Sequence, residues 1–459
     1  MSKRNLIILI IILITVVAVL FGFSYFSNIN TTGTTGQTQG INFISQFFPS
    51  SKNVTSTSET TAPADVSGFT PNTTTEISKS KLNKVSSIPI AGYGVFMKER
   101  FKEVPIVIPV DSVNSSQTTT STEATGTDTT TIKTSTEKPT PPPTELVPAL
   151  RYVAKTTGNI YQTFADKIDE RKFSGTIVPV VYEAFFGNNG ESVIMRYLKT
   201  DNRTIETFIG TLPKETLGAD TTGENELNGS FLPENITDIS ISSDTSKVFY
   251  LFNVGNTSTG ITSSAFGDKK SQVFNSSFTE WLSSWPNTNT ITVTTKPSAN
   301  VLGYMYTIDP NKKDFNKALG DINGLTTLTS PNGKLVLYSG NTLTLNVYDI
   351  NTRESTPLGL KTLPEKCVWN NLSDGVYCTV PKFIEQGNYP DSWYMGEISF
   401  SDEIWKINLQ NGNTTIVSDL VSLNGAENID GIKLALDESE NYLFFVNKKD
   451  SYLWKLDLK

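Results

Sequence analysis

The chain has 459 residues, with 38 Lys and Arg against 46 Asp and Glu, a net charge of −8 and no histidine. An acidic balance leaves no basic surface for nucleic acid, and without imidazole there is no histidine base, triad histidine or histidine metal ligand. Two cysteines cannot complete a four-thiolate zinc site or hold an iron–sulfur cluster alone, so the sequence implies no metal and no cofactor.

Residues 1–4 read as a short cytoplasmic tip and residues 5–26 as a transmembrane signal anchor. Leu6 to Phe23 is an 18-residue apolar run interrupted only by Thr15, close to the ~20 residues a bilayer-spanning helix needs. Lys3 and Arg4 precede it and no charge follows until Lys52, so the positive-inside rule puts the N-terminus in the cytoplasm and the remainder outside. A cleaved signal peptide is the alternative, but the exit from Phe21 to Ser27 is bulky and lacks a small-residue cleavage site.

Residues 27–80, rich in Thr, Ser, Gly and Asn, read as a disordered leash with an end-to-end reach of roughly 40 Å. The apolar island from Ile41 to Phe48 is an apolar patch within it, or a helix lying on the membrane. A second biased stretch, from Ser115 to Thr144, has 17 Ser or Thr in 30 residues and cannot bury a core. It is expected to form a disordered insertion at about residues 112–147 inside the first structural unit.

From about residue 150 the pattern is all-β: short apolar alternations broken by Gly, Asn, Asp and Pro. A unit of short strands and tight turns recurs with starts at 182, 238, 280, 326, 366 and 432, spaced 56, 42, 46, 40 and 66 residues apart. A period near 40–50 with four short strands is that of propeller blades. A further blade fits upstream, with Arg151–Ala154 and Ile160–Phe164 among its strands. The chain ends on what the repeat makes a third strand, Leu453 to Leu458, and Leu82–Ile90 has the style of the missing fourth. The expected fold is an all-β propeller over residues 81–459. It has seven four-stranded blades, six or eight being the alternatives, and residues 82–90 close the last blade and remove exposed sheet edges.

The turn Ser330-Pro331-Asn332-Gly333-Lys334-Leu335 resembles the Ser-Pro-Asp-Gly-x-x-Leu turn of TolB-like and WD-repeat-like β-propellers. The resemblance covers roughly residues 82–459 and implies the fold, not the activity, because such propellers serve many roles. The Gly-His and Trp-Asp pairs of true WD repeats and the Ser-x-Asp-x-Gly-x-x-Trp box of sialidase propellers are absent. The layout of anchor, Thr-rich leash and propeller also resembles uncharacterised surface proteins of very small uncultured bacteria.

A hairpin pairing Asn370 with Gly375 sets Cys367 directly opposite Cys378, within disulfide range. The two form an expected disulfide, permitted outside the cytoplasm; two buried thiols are the alternative. The long insertion from Pro381 to Asp402 joins the second and third strands of the sixth blade, and so emerges on the face that carries the connections between blades. Tyr389, Trp393 and Tyr394 offer stacking surfaces of the kind sugars and peptides use, and Asp391, Glu397 and Asp402 offer carboxylates. These residues make a candidate ligand-binding surface, or else the aromatics pack on the neighbouring blade. Trp281, Trp285, Trp369, Trp405 and Trp454 read as apolar anchors between blades.

No Gly-x-Ser-x-Gly elbow, phosphate-cradling loop or EF-hand loop occurs, and turn acids such as Asp374 and Asp437 serve most simply to stabilise turns. The expected function is a membrane-anchored, extracytoplasmic, non-catalytic binding or scaffold module. Its partner would be a protein, a peptide or an envelope glycan at the propeller face. A carbohydrate-active hydrolase using paired carboxylates and a purely structural envelope protein are the alternatives.

Overall fold

The computed structural model describes residues 82–102, 142–218, 224–423 and 428–459. The expected cytoplasmic tip, anchor, leash and most of the Thr-rich insertion lie outside these residues. Among the described residues no helix is long and apolar enough to cross a membrane.

The described residues form a seven-bladed propeller of four-stranded antiparallel sheets. Six blades use four consecutive strands each, spanning residues 90–174, 181–231, 236–276, 281–323, 326–361 and 367–419. The seventh takes three strands from residues 431–457, and its outermost strand is Leu82–Lys84. There Leu82 pairs with Leu456, Asn83 with Lys455 and Lys84 with Trp454. The pairing strand is shorter than the 82–90 stretch the repeat suggests. Ile90 already opens the innermost strand of the first blade, Ile90–Phe101, while its N–H still bonds Ser451 O at 2.8 Å. The chain thus crosses from the rim of the last blade to the hub of the first. The ordered strand Thr144–Ala154 also takes the last residues of the expected insertion, since Thr144 pairs with Phe101 and Val147 with Lys98.

The turns explain why the hairpins form. In the fifth blade Ser330 Oγ accepts from Leu335 N at 3.0 Å and donates to Asn332 Oδ1 at 2.7 Å. Gly333 sits at φ +71°, where a Cβ is disfavoured. The seventh blade builds the same bend from Asp437, whose Oδ1 accepts from Asn441 N at 2.7 Å and Tyr442 N at 2.6 Å. Side-chain acceptors that occupy turn amides hold the two strands of each hairpin in register.

Apolar clusters lie between blades. Trp281 and Trp285 of the fourth blade pack with Phe249 and Leu251 of the third. Trp369 and Trp405 of the sixth pack with Leu337 and Leu345 of the fifth. Trp454 of the seventh packs with Tyr377 and Ile404 of the sixth. All five indoles are buried. Cys367 and Cys378 face each other across the first hairpin of the sixth blade and are joined by a disulfide, with Cα atoms 4.0 Å apart.

Candidate functional site

The sixth-blade insertion, residues 382–401, leaves the strand Gly375–Pro381 and returns at the strand Asp402–Asn408. It folds around one helical turn, Asp391–Tyr394. Its aromatics do not present a stacking platform. Tyr389 is 4% and Trp393 3% exposed, and both sit in a cluster with Leu343, Leu363, Ile398 and Phe400. An insertion of this length has to bury apolar groups of its own to be ordered, and these are its largest. The Tyr389 hydroxyl turns back to Glu385 O at 2.7 Å. The indole Nε1 of Trp393 donates to Asp430 Oδ2 at 2.9 Å, and Lys448 Nζ donates to Trp393 O at 2.7 Å.

The expected carboxylates do not converge either. Asp391 Oδ2 accepts from Ala299 N at 2.5 Å and so fastens the helical turn to the fourth blade. Glu397 is exposed. Asp402 is fully buried against Lys366, so it cannot meet a glycan from solution. Of the proposed ligand residues, Tyr394 lines a cavity.

That cavity has a volume of about 440 Å³ and opens among the innermost strands of the third, fourth and fifth blades. Its lining includes Asp238, Ser283, Thr294, Thr327, Glu365 and Tyr394. Asp238 Oδ2 accepts from the backbone N–H of Ser283 at 2.5 Å and from its hydroxyl at 2.6 Å. The hydroxyls of Thr294 and Thr327 lie 2.6 Å apart. Tyr394 donates its hydroxyl to Glu365 Oε1, which brings the insertion down onto the cavity wall.

Both acids of this cavity are pushed up by burial. Asp238 rises to about 7, with the Ser283 hydrogen bonds opposing the rise. Glu365 also rises, against the pull of the Tyr394 hydrogen bond and the Lys366 charge. Burial, together with the Glu365 charge, raises the Tyr394 phenol well above its ordinary value, so it stays a donor. Elsewhere on the innermost strands Tyr93 donates to Lys433 O, and Lys433 Nζ stands 3.8 Å from Glu183 Oε1. Among the described residues no group of three or more Cys, Asp and Glu could hold a metal ion.

Asp238, Ser283 and Glu365 escaped the sequence reading. They come from two blades and the turn before a third, and an acid or hydroxyl on or just before an inner strand reads like any turn-flanking polar residue. For Asp238 and Ser283 the available signal was a position in the first strand of a repeat, the strand that lines a propeller channel; Glu365 lies in the turn Pro364–Lys366 just before such a strand.

No protein-family model and no curated protein matches this sequence. Among solved structures the chain is similar to the tricorn protease, at 13% identity and a TM-score of 0.33 over 65% of this chain. It spans only 27% of that protein's length. It is also similar to an oligogalacturonate lyase from Vibrio parahaemolyticus, at 10% identity and a TM-score of 0.39 over 68% of this chain and 93% of that one. A chain of the mitotic checkpoint complex gives 9% identity and a TM-score of 0.42 over 67% and 85%. At such scores these likenesses carry no argument about activity, and the description of the fold rests on the strand pairing itself.

Proposed function

We propose that the protein is a membrane-anchored, extracytoplasmic recognition module that binds a segment of an envelope glycan, without turnover, in the cavity beneath Tyr394. The observation that carries this reading is the cavity itself. Its volume of about 440 Å³ falls within the roughly 300–1,000 Å³ of small-molecule sites. Hydroxyls of Ser283, Thr294 and Thr327 and the carboxyls of Asp238 and Glu365 line it beside apolar Leu282, Leu325 and Leu328. A wall of hydroxyls and carboxyls over apolar ground suits a sugar, which presents hydroxyls at its rim and C–H groups on its faces. The apolar run Leu6–Phe23 supports anchoring through residues 5–26, and the Cys367–Cys378 disulfide suits an oxidising compartment.

The test is calorimetric titration of the full chain in detergent with soluble envelope glycan fragments, beside Tyr394→Ala and Asp238→Asn. Binding that weakens about tenfold or more in both folded variants supports the reading, since each change removes ~1.4 kcal/mol or more of interaction. Binding equal in all three proteins would sink this cavity as the site.

A second reading, glycoside hydrolysis, has one observation in its favour. Asp238 and Glu365 share the cavity, and both are raised above the usual carboxylate range, as a general acid requires. Product analysis after incubation with the same fragments separates hydrolysis from binding.

A further inference from the structure

A charged trio that the cavity does not use lies between the sixth and seventh blades. Lys366, Asp402 and Asp430 are each fully buried. Lys366 Nζ lies 2.7 Å from Asp402 Oδ2 and 3.0 Å from Gly431 O, and it also donates to Asp430 Oδ1. The rings of Phe400 and Trp393 stand 5.4 and 5.5 Å from the same nitrogen. One cation thus faces two carboxyls in a water-excluded, aromatic-walled pocket, where isolated charge is costly.

The two acids are unlike. Burial pushes Asp402 up to about 6, with the nearby Asp430 charge adding to the rise against the pull of Lys366. Burial also raises Asp430, but Lys366 and the hydrogen bonds from Phe400 N and Trp393 hold it below its ordinary value. The two oxygens of Asp402 differ as well. Oδ2 accepts from Lys366 and, at 2.7 Å, from Gly431 N. Oδ1 is buried and has no hydrogen-bond partner.

We propose that Lys366 and Asp402 condense to an intramolecular isopeptide bond, with Asp430 carrying the protons. The step balances without any oxidant or cofactor. The starting state is the Lys366 ammonium, protonated Asp402 and the Asp430 carboxylate. Asp430 takes one proton from Nζ. The freed lone pair attacks Asp402 Cγ, and the charge that develops on Oδ2 is met by the Gly431 N–H. Asp430 passes its proton to Oδ1, the Cγ–Oδ1 bond breaks, and Oδ1 leaves as water. The nitrogen then gives a second proton to Asp430 and becomes a neutral amide. The products are the amide, one water and a protonated Asp430, so the pocket ends with no buried charge. The folded blades supply proximity and desolvation, the two terms such a condensation needs. The bond ties the residue before the first strand of the sixth blade to the first residue of its third strand, across the base of the insertion.

The test is intact-mass measurement of the full chain after denaturation and reduction, followed by peptide mapping. The expected mass is lower than that of the sequence by one water, with a branched peptide joining Lys366 to Asp402. A mass equal to that of the sequence, with Lys366 recovered in an unmodified linear peptide, overturns the proposal. So does a water loss that maps to any other residue. Asp430→Asn keeps the size of the proton carrier and removes its basicity; its expected result is a folded chain in which the branched peptide is lost. A folded Asp430→Asn chain that still carries the bond overturns the assigned role of Asp430. If that variant does not fold, the mass of the unaltered chain decides the question alone.

Discussion

The indole of Trp393 reaches from the sixth-blade insertion to the carboxylate of Asp430, 2.9 Å away at the threshold of the seventh blade. The same Asp430 Oδ2 also accepts from Phe400 N at 3.0 Å and Ser399 Oγ at 3.1 Å. The insertion is therefore seated by a buried polar anchor as well as by its apolar cluster. This seating is what places Tyr394 against Glu365 at the wall of the cavity.

Trp393→Ala should behave as a core truncation. It removes a buried indole from between Leu343, Leu363 and Phe400 and leaves Asp430 short of a donor. The expected loss is about 3–5 kcal/mol of stability, read as an earlier midpoint in denaturant unfolding. A variant as stable as the parent would contradict the burial of this side chain.

Deleting Leu82–Lys84 should open the ring. The strand Leu453–Asp457 would lose its outer partner, and Leu82 would no longer cover the cluster around Tyr377, Leu443 and Trp454. Removing one such leucine costs about 1.5–3 kcal/mol, and a bare edge invites association. Size-exclusion chromatography should show higher species at a protein concentration where the parent gives one peak.

Asp238 should make the fold less stable as pH rises. Its carboxyl titrates near 7 in the folded chain, against about 3.9 in an unfolded one. Between those values the folded state binds more protons, so its stabilising effect is fully present below about pH 4 and is lost as pH climbs through 7. Asp238→Asn should flatten the fall in denaturant midpoint from pH 5 to pH 8. An identical slope in both proteins would assign the fall to other groups.

Replacing Cys367 and Cys378 by serine should lower stability by about 3 kcal/mol in oxidising buffer, the chain-entropy value for so short a loop. The sequence separation is 11 residues. Under strong reductant the parent should fall towards the double variant, measured by the same unfolding midpoint.

What could be read along the chain was what forms between neighbours in sequence. The starts at 182, 238, 280, 326, 366 and 432 fall on or beside the innermost strands of six blades, because each hairpin is set by a local turn and a local alternation. The same count sets Cys367 opposite Cys378. Even the long-range pairing of Leu82–Lys84 with Leu453–Asp457 could be anticipated, since counting strands in fours leaves the last blade one short.

The site was less legible. Tyr389, Trp393 and Tyr394 sit within six residues of one another, and nothing in their order distinguishes an aromatic that faces solvent from one that plugs its own loop. Lys366 and Asp430 are 64 residues apart, and Asp238 and Glu365 belong to different blades. The sequence by itself determined the repeat, the turns and the closure, because hydrogen bonding between adjacent strands depends on local pattern. Only the tertiary structure decided which charges share a buried pocket and which hydroxyls share a cavity. Both depend on how whole blades pack side by side, and burial then changes what each group can do.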